Sequence, residues 1–171
     1  MRAVGIVVLS IIVCLSGLTG CASTPAVESP ADHGPAATPF LLFQGGKAEE
    51  AMRFYVDTLP NSRIVEIDRY AAGETGPEGT VELGHFEVNG LRVRCTDSPT
   101  PHAFDFTPSF SFFIDLESAA ELDRLAEALQ EGGEVMMPPN DYGFSERFAW
   151  VQDRYGVSWQ LNLPSVAEAT D

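Results

Sequence analysis

The apolar positions of this chain change period several times, and each change marks an element. Phe40 to Phe43 is an unbroken apolar run of strand length, too short for a helix. Ala48, Ala51, Met52, Tyr55, Val56 and Leu59 then recur at the spacings that put side chains on one helical face, and Pro60-Asn61 ends the pattern. Period two follows in three stretches, about Arg63 to Tyr70, Thr80 to Val88 and Leu91 to Asp97. Asn89-Gly90 between the last two predicts a tight hairpin, because a type I′ turn needs positive φ at both central residues.

The order then recurs. Ser109 to Asp115 predicts a strand, and Ser118 to Gln130 predicts a helix with Ala119, Leu122, Leu125, Ala126 and Leu129 inward. Its start has capping-box spacing in Ser118-Ala119-Ala120-Glu121, and Gly132-Gly133 supplies a left-handed stop. Strands are expected at about Val135 to Pro138, Phe148 to Asp153 and Val157 to Leu163. In the last, Val157, Trp159, Leu161 and Leu163 share one face and Ser158, Gln160 and Asn162 the other. The fold class is α+β, two βαβββ patterns whose residue identities hardly repeat.

Upstream the pattern is of another kind. Arg2 precedes an apolar run, Ala3 to Leu15, that is short for a membrane span but right for a secretory signal. Leu18-Thr19-Gly20-Cys21 resembles the bacterial lipobox, which implies cleavage before Cys21 and acylation of its thiol. Residues 1–20 are thus expected to be a lipoprotein signal peptide and 21–38, rich in Ala, Pro and small polar residues, a flexible tether. Residues 39–165 form the domain and 166–171 a tail. Ala22 after the cysteine implies, by resemblance to lipoprotein sorting, the outer membrane of a two-membrane host. The partner expected at this end is membrane lipid held through Cys21, with the domain outside the cytoplasm.

Charge and cysteines narrow the functions. With 10 Lys and Arg against 25 Asp and Glu, the chain carries a formal charge of −15, which excludes phosphate-backbone binding and with it a nucleic-acid partner. Of three cysteines, Cys14 leaves with the signal and Cys21 takes the lipid, so Cys95 remains without a disulfide partner. The loop Gly73-Glu74-Thr75-Gly76-Pro77-Glu78-Gly79 has no following Lys and an acidic balance, unlike a phosphate loop.

The paired βαβββ pattern resembles the vicinal oxygen chelate superfamily, the glyoxalase and bleomycin-resistance architecture, over nearly all of 39–163. Phe40 to Phe43, Ala48 to Tyr55, Gly76 to Val81, Phe86 to Gly90, Asp97-Ser98-Pro99 and Gly156 to Leu161 are similar to its PhnB-like branch, often labelled a demethylubiquinone methyltransferase. No glycine-rich strand-to-helix loop for S-adenosylmethionine is read here, so the methyltransferase label finds no support. The resemblance implies modules that curl a mixed sheet into a cup with helices outside. It also implies a small-molecule ligand, leaves room for a homodimer, and, for an enzyme, implies a glyoxalase-like lyase or isomerase.

Metal-dependent members hold a divalent ion with His, Glu or Gln on the first and last strands of each module. Here those positions offer Thr38, Phe40 and Leu42, Cys95 and Asp97, Ser109 or Ser111, and Gln160. That set is poor in imidazole and carboxylate donors, so no metal and no other cofactor is expected. An unorthodox ion site drawn from His85, Asp97 or His102 is the alternative.

The ligand-binding candidates are His85, Asp97, His102, Trp150 and Gln160, with Trp150 as an apolar wall. Gly84 beside His85 suggests a bulge, and Asn140 to Glu146 suggests a lid presenting Tyr142 or Phe144. Cys95 shares its strand phase with Leu91 and Val93 and reads as a buried hydrophobe; His33 in the tether reads as solvated. No catalytic residue is identified, and a non-enzymatic module for interaction or sequestration is the competing reading.

Cys21→Ser is expected to abolish lipid labelling and detergent-phase partitioning of the exported chain; unchanged labelling would contradict the lipobox reading.

Overall fold

A computed structural model describes residues 37–165. The expected signal peptide, Cys21, the tether with His33 up to residue 36, and the tail 166–171 lie outside the described residues. Within them no helix is long and apolar enough to cross a membrane.

The described chain runs β1 (Phe40–Phe43), α1 (Ala48–Thr58), β2 (Arg63–Arg69), β3 (Val81–Val88), β4 (Leu91–Asp97), then β5 (Phe112–Asp115), α2 (Ala119–Gln130), β6 (Glu134–Asn140), β7 (Arg147–Gln152) and β8 (Ser158–Leu163). Two four-stranded sheets result, ordered β1-β4-β3-β2 and β5-β8-β7-β6, so the repeat of pattern is a repeat of topology. In each, the module's first strand pairs in parallel with its last, and the other pairs are antiparallel.

Local chemistry explains the joints. Asn89 and Gly90 both take positive φ, 46° and 81°, as the hairpin requires. Ser118 accepts the Glu121 backbone N–H at 3.2 Å and caps α2. The α1 cap is less obvious: Asp97, at the end of β4, accepts the Ala48 N–H at 2.9 Å through one oxygen and the Val81 N–H at 2.9 Å through the other. One carboxylate thus fastens the helix start to β3, favoured there by the helix dipole. The β1–α1 turn before it holds two glycines at positive φ, Gly45 and Gly46, without the three-glycine spacing of a dinucleotide loop.

Three expectations need correction. Gly84 does not mark a bulge: the register shifts fall between Ile64 and Glu66 and between Asp68 and Arg69, while Gly84 itself pairs with Cys95 and Ile67. A Cβ on Gly84 would stand 2.7 Å from Cys95 Sγ and 2.7 Å from Met52 Sδ, so the glycine lets α1 lie close on the sheet. β6 continues through Pro138 and Pro139 to Asn140, because it is an edge strand and its prolines need no partner on the open side. β5 begins at Phe112, not Ser109, since Phe110 N–H closes a turn onto the Thr107 carbonyl.

Each sheet has one covered and one open face. Leu41, Phe43, Phe86, Val93 and Cys95 lie with Met52 and Tyr55 of α1, while Ile114, Val151, Trp159 and Leu161 lie with Leu122, Leu125 and Leu129 of α2, all in one core cluster. Tyr55 and Trp159 join the modules, their rings 5.0 Å apart. Trp159 Nε1–H donates to Asp153 at 2.7 Å, and Asp153 also accepts the Tyr155 and Val157 backbone N–H groups. Burial pushes the Asp153 pKa up, against the lowering effect of these donors. The Tyr55 hydroxyl is buried without a hydrogen-bond partner among the described residues, and burial beside Asp153 raises its pKa well above the ordinary phenol value.

A buried hydroxyl left unpaired costs about 1–3 kcal/mol. Tyr55→Phe is therefore expected to hold or raise the melting temperature; a drop on thermal denaturation would mean that the hydroxyl is bonded to Asp153 in solution.

Candidate functional site

β8 is a central strand of its sheet, so its side chains have neighbours on both flanks. Trp159, Leu161 and Leu163 enter the core, and Ser158, Gln160 and Asn162 line the open face. They are not simply solvated: Ser158 is 2% and Asn162 8% exposed, and Gln160 is half-buried. Gln160 sits between its register partners Trp150 on β7 and Phe113 on β5.

The polar groups around it are mostly committed. Trp150 Nε1–H donates to Ser158 Oγ at 2.8 Å, Ser158 and Ser111 share a 2.8 Å hydroxyl contact, and Asn162 Nδ2–H donates to Asp115 at 2.7 Å. Gln160 differs: its side chain makes no hydrogen bond among the described residues. An amide offers two donors and an acceptor, and here they face an aromatic surface.

Phe113 is 56% exposed beside the amide. Phe148, the register partner of Asn162, is buried beneath Tyr142 and Phe144, with ring centroids 6.3 Å and 5.1 Å away. The loop expected as a lid therefore does place its aromatics over this face. It is pinned there by Tyr142 Oη–H donating to the Pro138 carbonyl at 2.9 Å and by Gly143 N–H on Asp141 at 2.7 Å. Near the Ser158 end, a groove of 280 Å³ runs between the modules, lined by Phe40, Phe106, Phe110, Val157 and Ser158 among others.

Of the five sequence candidates, the fold brings Trp150 and Gln160 together as register partners. His85 lies on the open face of the other sheet, paired with Arg94 and Glu66. His102 is in the connection between modules, exposed, stacked on Phe104 with Nε2 2.8 Å from Ser98 Oγ, while its backbone N–H donates to Gln44. Asp97 is 2% exposed and committed to two backbone N–H groups on the covered side. The physical reason is parity: Leu91, Val93, Cys95 and Asp97 share a face, and that face meets α1. Strand parity likewise turns Cys95 away from the open face and shows Arg92, Arg94 and Thr96 there instead. Phe113 is not among the sequence candidates because the expected strand begins three residues before β5 and an unbroken Phe112-Phe113-Ile114 run hides which side chains alternate outward.

Among the described residues no three His, Cys, Asp or Glu side chains converge to hold a metal ion. The open face near Gln160 supplies one carboxylate, Asp115, already engaged with Asn162.

Two βαβββ modules, each with a helix-covered and an open sheet face, give the two-module fold that the vicinal oxygen chelate resemblance implies. A family model described as 3-demethylubiquinone-9 3-methyltransferase matches residues 35–162, and the chain belongs to that family, the PhnB-like one. It is similar to a PhnB protein from Bacillus cereus bearing the same methyltransferase name, at 44% identity over 75% of this chain and 99% of that one, with a TM-score of 0.72. A protein of known structure from Pseudomonas aeruginosa shares 23% identity over 76% of this chain and 98% of that one, TM-score 0.66. The FosX fosfomycin resistance protein of Listeria monocytogenes, described with Mn(II) and a dihydroxypropylphosphonic acid, shares the fold at 11% identity, covering 81% of this chain and 99% of that one, TM-score 0.56. None of the curated proteins compared matches this chain.

The chemistry of Cys95 is decided by its surroundings. It is wholly buried, and burial, with the Asp97 carboxylate adding to it, pushes its thiol pKa up to about 12. A thiol reacts as thiolate, so Cys95 is expected to resist alkylation at neutral pH in the native chain and to react fully in denaturant. Rapid labelling of Cys95 without denaturant would contradict its placement.

Proposed function

We propose that the domain binds a small organic molecule on the open face of the second sheet, against Trp150 and Phe113 and with the Gln160 amide fixing its orientation. The observation that carries this is the Gln160 side chain: half-buried, on a central strand, and without a hydrogen-bond partner among the described residues, beside aromatics whose other polar neighbours are mostly engaged. A sparse polar group in an apolar setting is how ligand sites achieve orientation. The sequence of residues 1–21 supports export and anchoring through Cys21, which would hold the site at the bacterial envelope.

The donor set supports a site without a conventional metal ion, because Gln160 lacks the charge of a carboxylate and Ser111 is a weak ligand. His85 stands on another sheet, so any general base would come from Asp115, whose oxygen Oδ1 is held by Asn162. The binding reading thus comes first, and a lyase or isomerase step on the bound molecule second. Methyl transfer, which the relatives' name carries, finds no supporting glycine-rich strand-to-helix loop among the described residues. A protein-interaction role is favoured by one observation, the exposed rings of Phe113 and Phe144, which a second copy of this chain or another protein would cover.

Native mass spectrometry of the purified full chain, prepared without added metal, is expected to show a co-purified molecule or, with a fragment set, adducts lost in Gln160→Ala. Retention of every adduct in that variant contradicts the assignment. The same preparation is expected to melt unchanged with chelator or with zinc, nickel or manganese, since an ion at a hundred times its dissociation constant stabilises by about 2.7 kcal/mol. A reproducible upward shift with one ion, abolished by His85→Ala, would replace the metal-free reading with a metal-assisted one.

A further inference from the structure

The open face of the first sheet carries a different chemistry. Across it, in one row of register partners, run Phe40 on β1, Arg94 on β4, His85 on β3 and Glu66 on β2. Neighbours in such a row have Cβ atoms about 5 Å apart and share a face. Phe40 is 53% exposed, Arg94 exposed and His85 half-buried.

Arg94 is unlike the other Lys and Arg side chains among the described residues. Lys47, Arg53, Arg63, Arg69, Arg92, Arg147 and Arg154 each lie within 4 Å of a carboxylate, and Arg124 donates to the Thr58 carbonyl at 3.5 Å. The Arg94 guanidinium has neither kind of partner among the described residues. In a chain with 25 acidic residues against 10 basic ones, partners are abundant, so a guanidinium left free is conspicuous. In the adjacent row its strand neighbour Arg92 faces Glu87, which Arg63 already grips at 2.7 and 2.8 Å. Glu87, in the row next to Arg94 on this face, is thereby engaged by Arg63 and does not compete for Arg94.

We infer that Arg94 and His85 form a subsite for the carboxylate of a small organic acid whose apolar body lies on Phe40 and Leu42. The guanidinium fork matches a planar carboxylate through two parallel N–H donors. The imidazole adds a donor from the flanking strand, since each tautomer carries one N–H. Leu42, two residues along β1 from Phe40, extends the apolar strip on the same face. Glu66, on the far side of His85, disfavours a second negative charge, which selects a monocarboxylate over a phosphate dianion. This subsite stands on the other sheet from Gln160 and fails or holds separately from that reading.

The test titrates the purified full chain with benzoate and hexanoate, their neutral amides, and inorganic phosphate, followed by NMR shifts and calorimetry. The acids are expected to bind about tenfold tighter than the amides, the loss of one charge-assisted hydrogen bond. Arg94→Gln is expected to erase that preference, Arg94→Lys to keep part of it, and Arg124→Gln to leave it unchanged. Equal binding of acid and amide, no acid binding at millimolar concentration, or acid binding that survives Arg94→Gln overturns the inference. So does phosphate displacing benzoate at equal concentration. Acid binding lost in Gln160→Ala but kept in Arg94→Gln would sink this subsite while sparing the second-sheet site.

Discussion

The contact between Tyr55 of α1 and Trp159 of β8 is the constraint on which the rest depends. Each module alone would leave the helix-side face of a four-stranded sheet partly wet. Trp159 stacks on Phe112 at 4.8 Å within its own module and meets Tyr55 across the boundary, so the two covered faces become one core. Asp153 holds the indole and the turn that leads into β8, and its burial raises the cost of disturbing either. Tyr155 extends the junction, its ring 5.8 Å from Phe54 and its hydroxyl donating to Glu50 at 3.2 Å. With these faces covered by α1 and α2 and joined through Tyr55 and Trp159, the opposite faces are the surfaces left for recognition.

Those two open faces have diverged although their strands follow the same order. One carries the amide of Gln160 between Trp150 and Phe113, with Tyr142 and Phe144 held over Phe148. The other carries arginines, His85 and the exposed Phe40. The covered faces, by contrast, are mostly aliphatic and aromatic, and a buried carboxylate among them, Asp97, is taken up by two backbone N–H groups. Packing constrains one side of each strand, and the other side is free to change its chemistry without changing the fold.

Most of the fold was legible because it rests on periodicity and turn chemistry. The apolar face of α1, the Asn89-Gly90 turn and the Ser118 cap each have a local physical signature, and each stands where the pattern put it. The site was legible only in part. Trp150 and Gln160 could be paired by phase within one hairpin, but Asp97 looked like a ligand because a carboxylate capping a helix 49 residues earlier leaves no local mark. Arg94 was invisible for a related reason: its significance lies in the absence of a partner, which is a property of space. Gly84 was read as a bulge because a glycine in a strand signals either a kink or a close approach, and only the position of Met52 separates the two.

The chain has two tryptophans, and they stand on opposite faces of the second sheet. Trp159 Nε1–H is bonded to Asp153 in the joint core, and Trp150 Nε1–H to Ser158 on the open face. Following both indole N–H signals by NMR while small organic fragments are added to the purified chain separates the covered from the recognising side. Saturable movement of the Trp150 signal is expected, with the Trp159 signal stationary. Movement of Trp159 with Trp150 unchanged, or no movement of Trp150 with any fragment, would contradict this division of the faces.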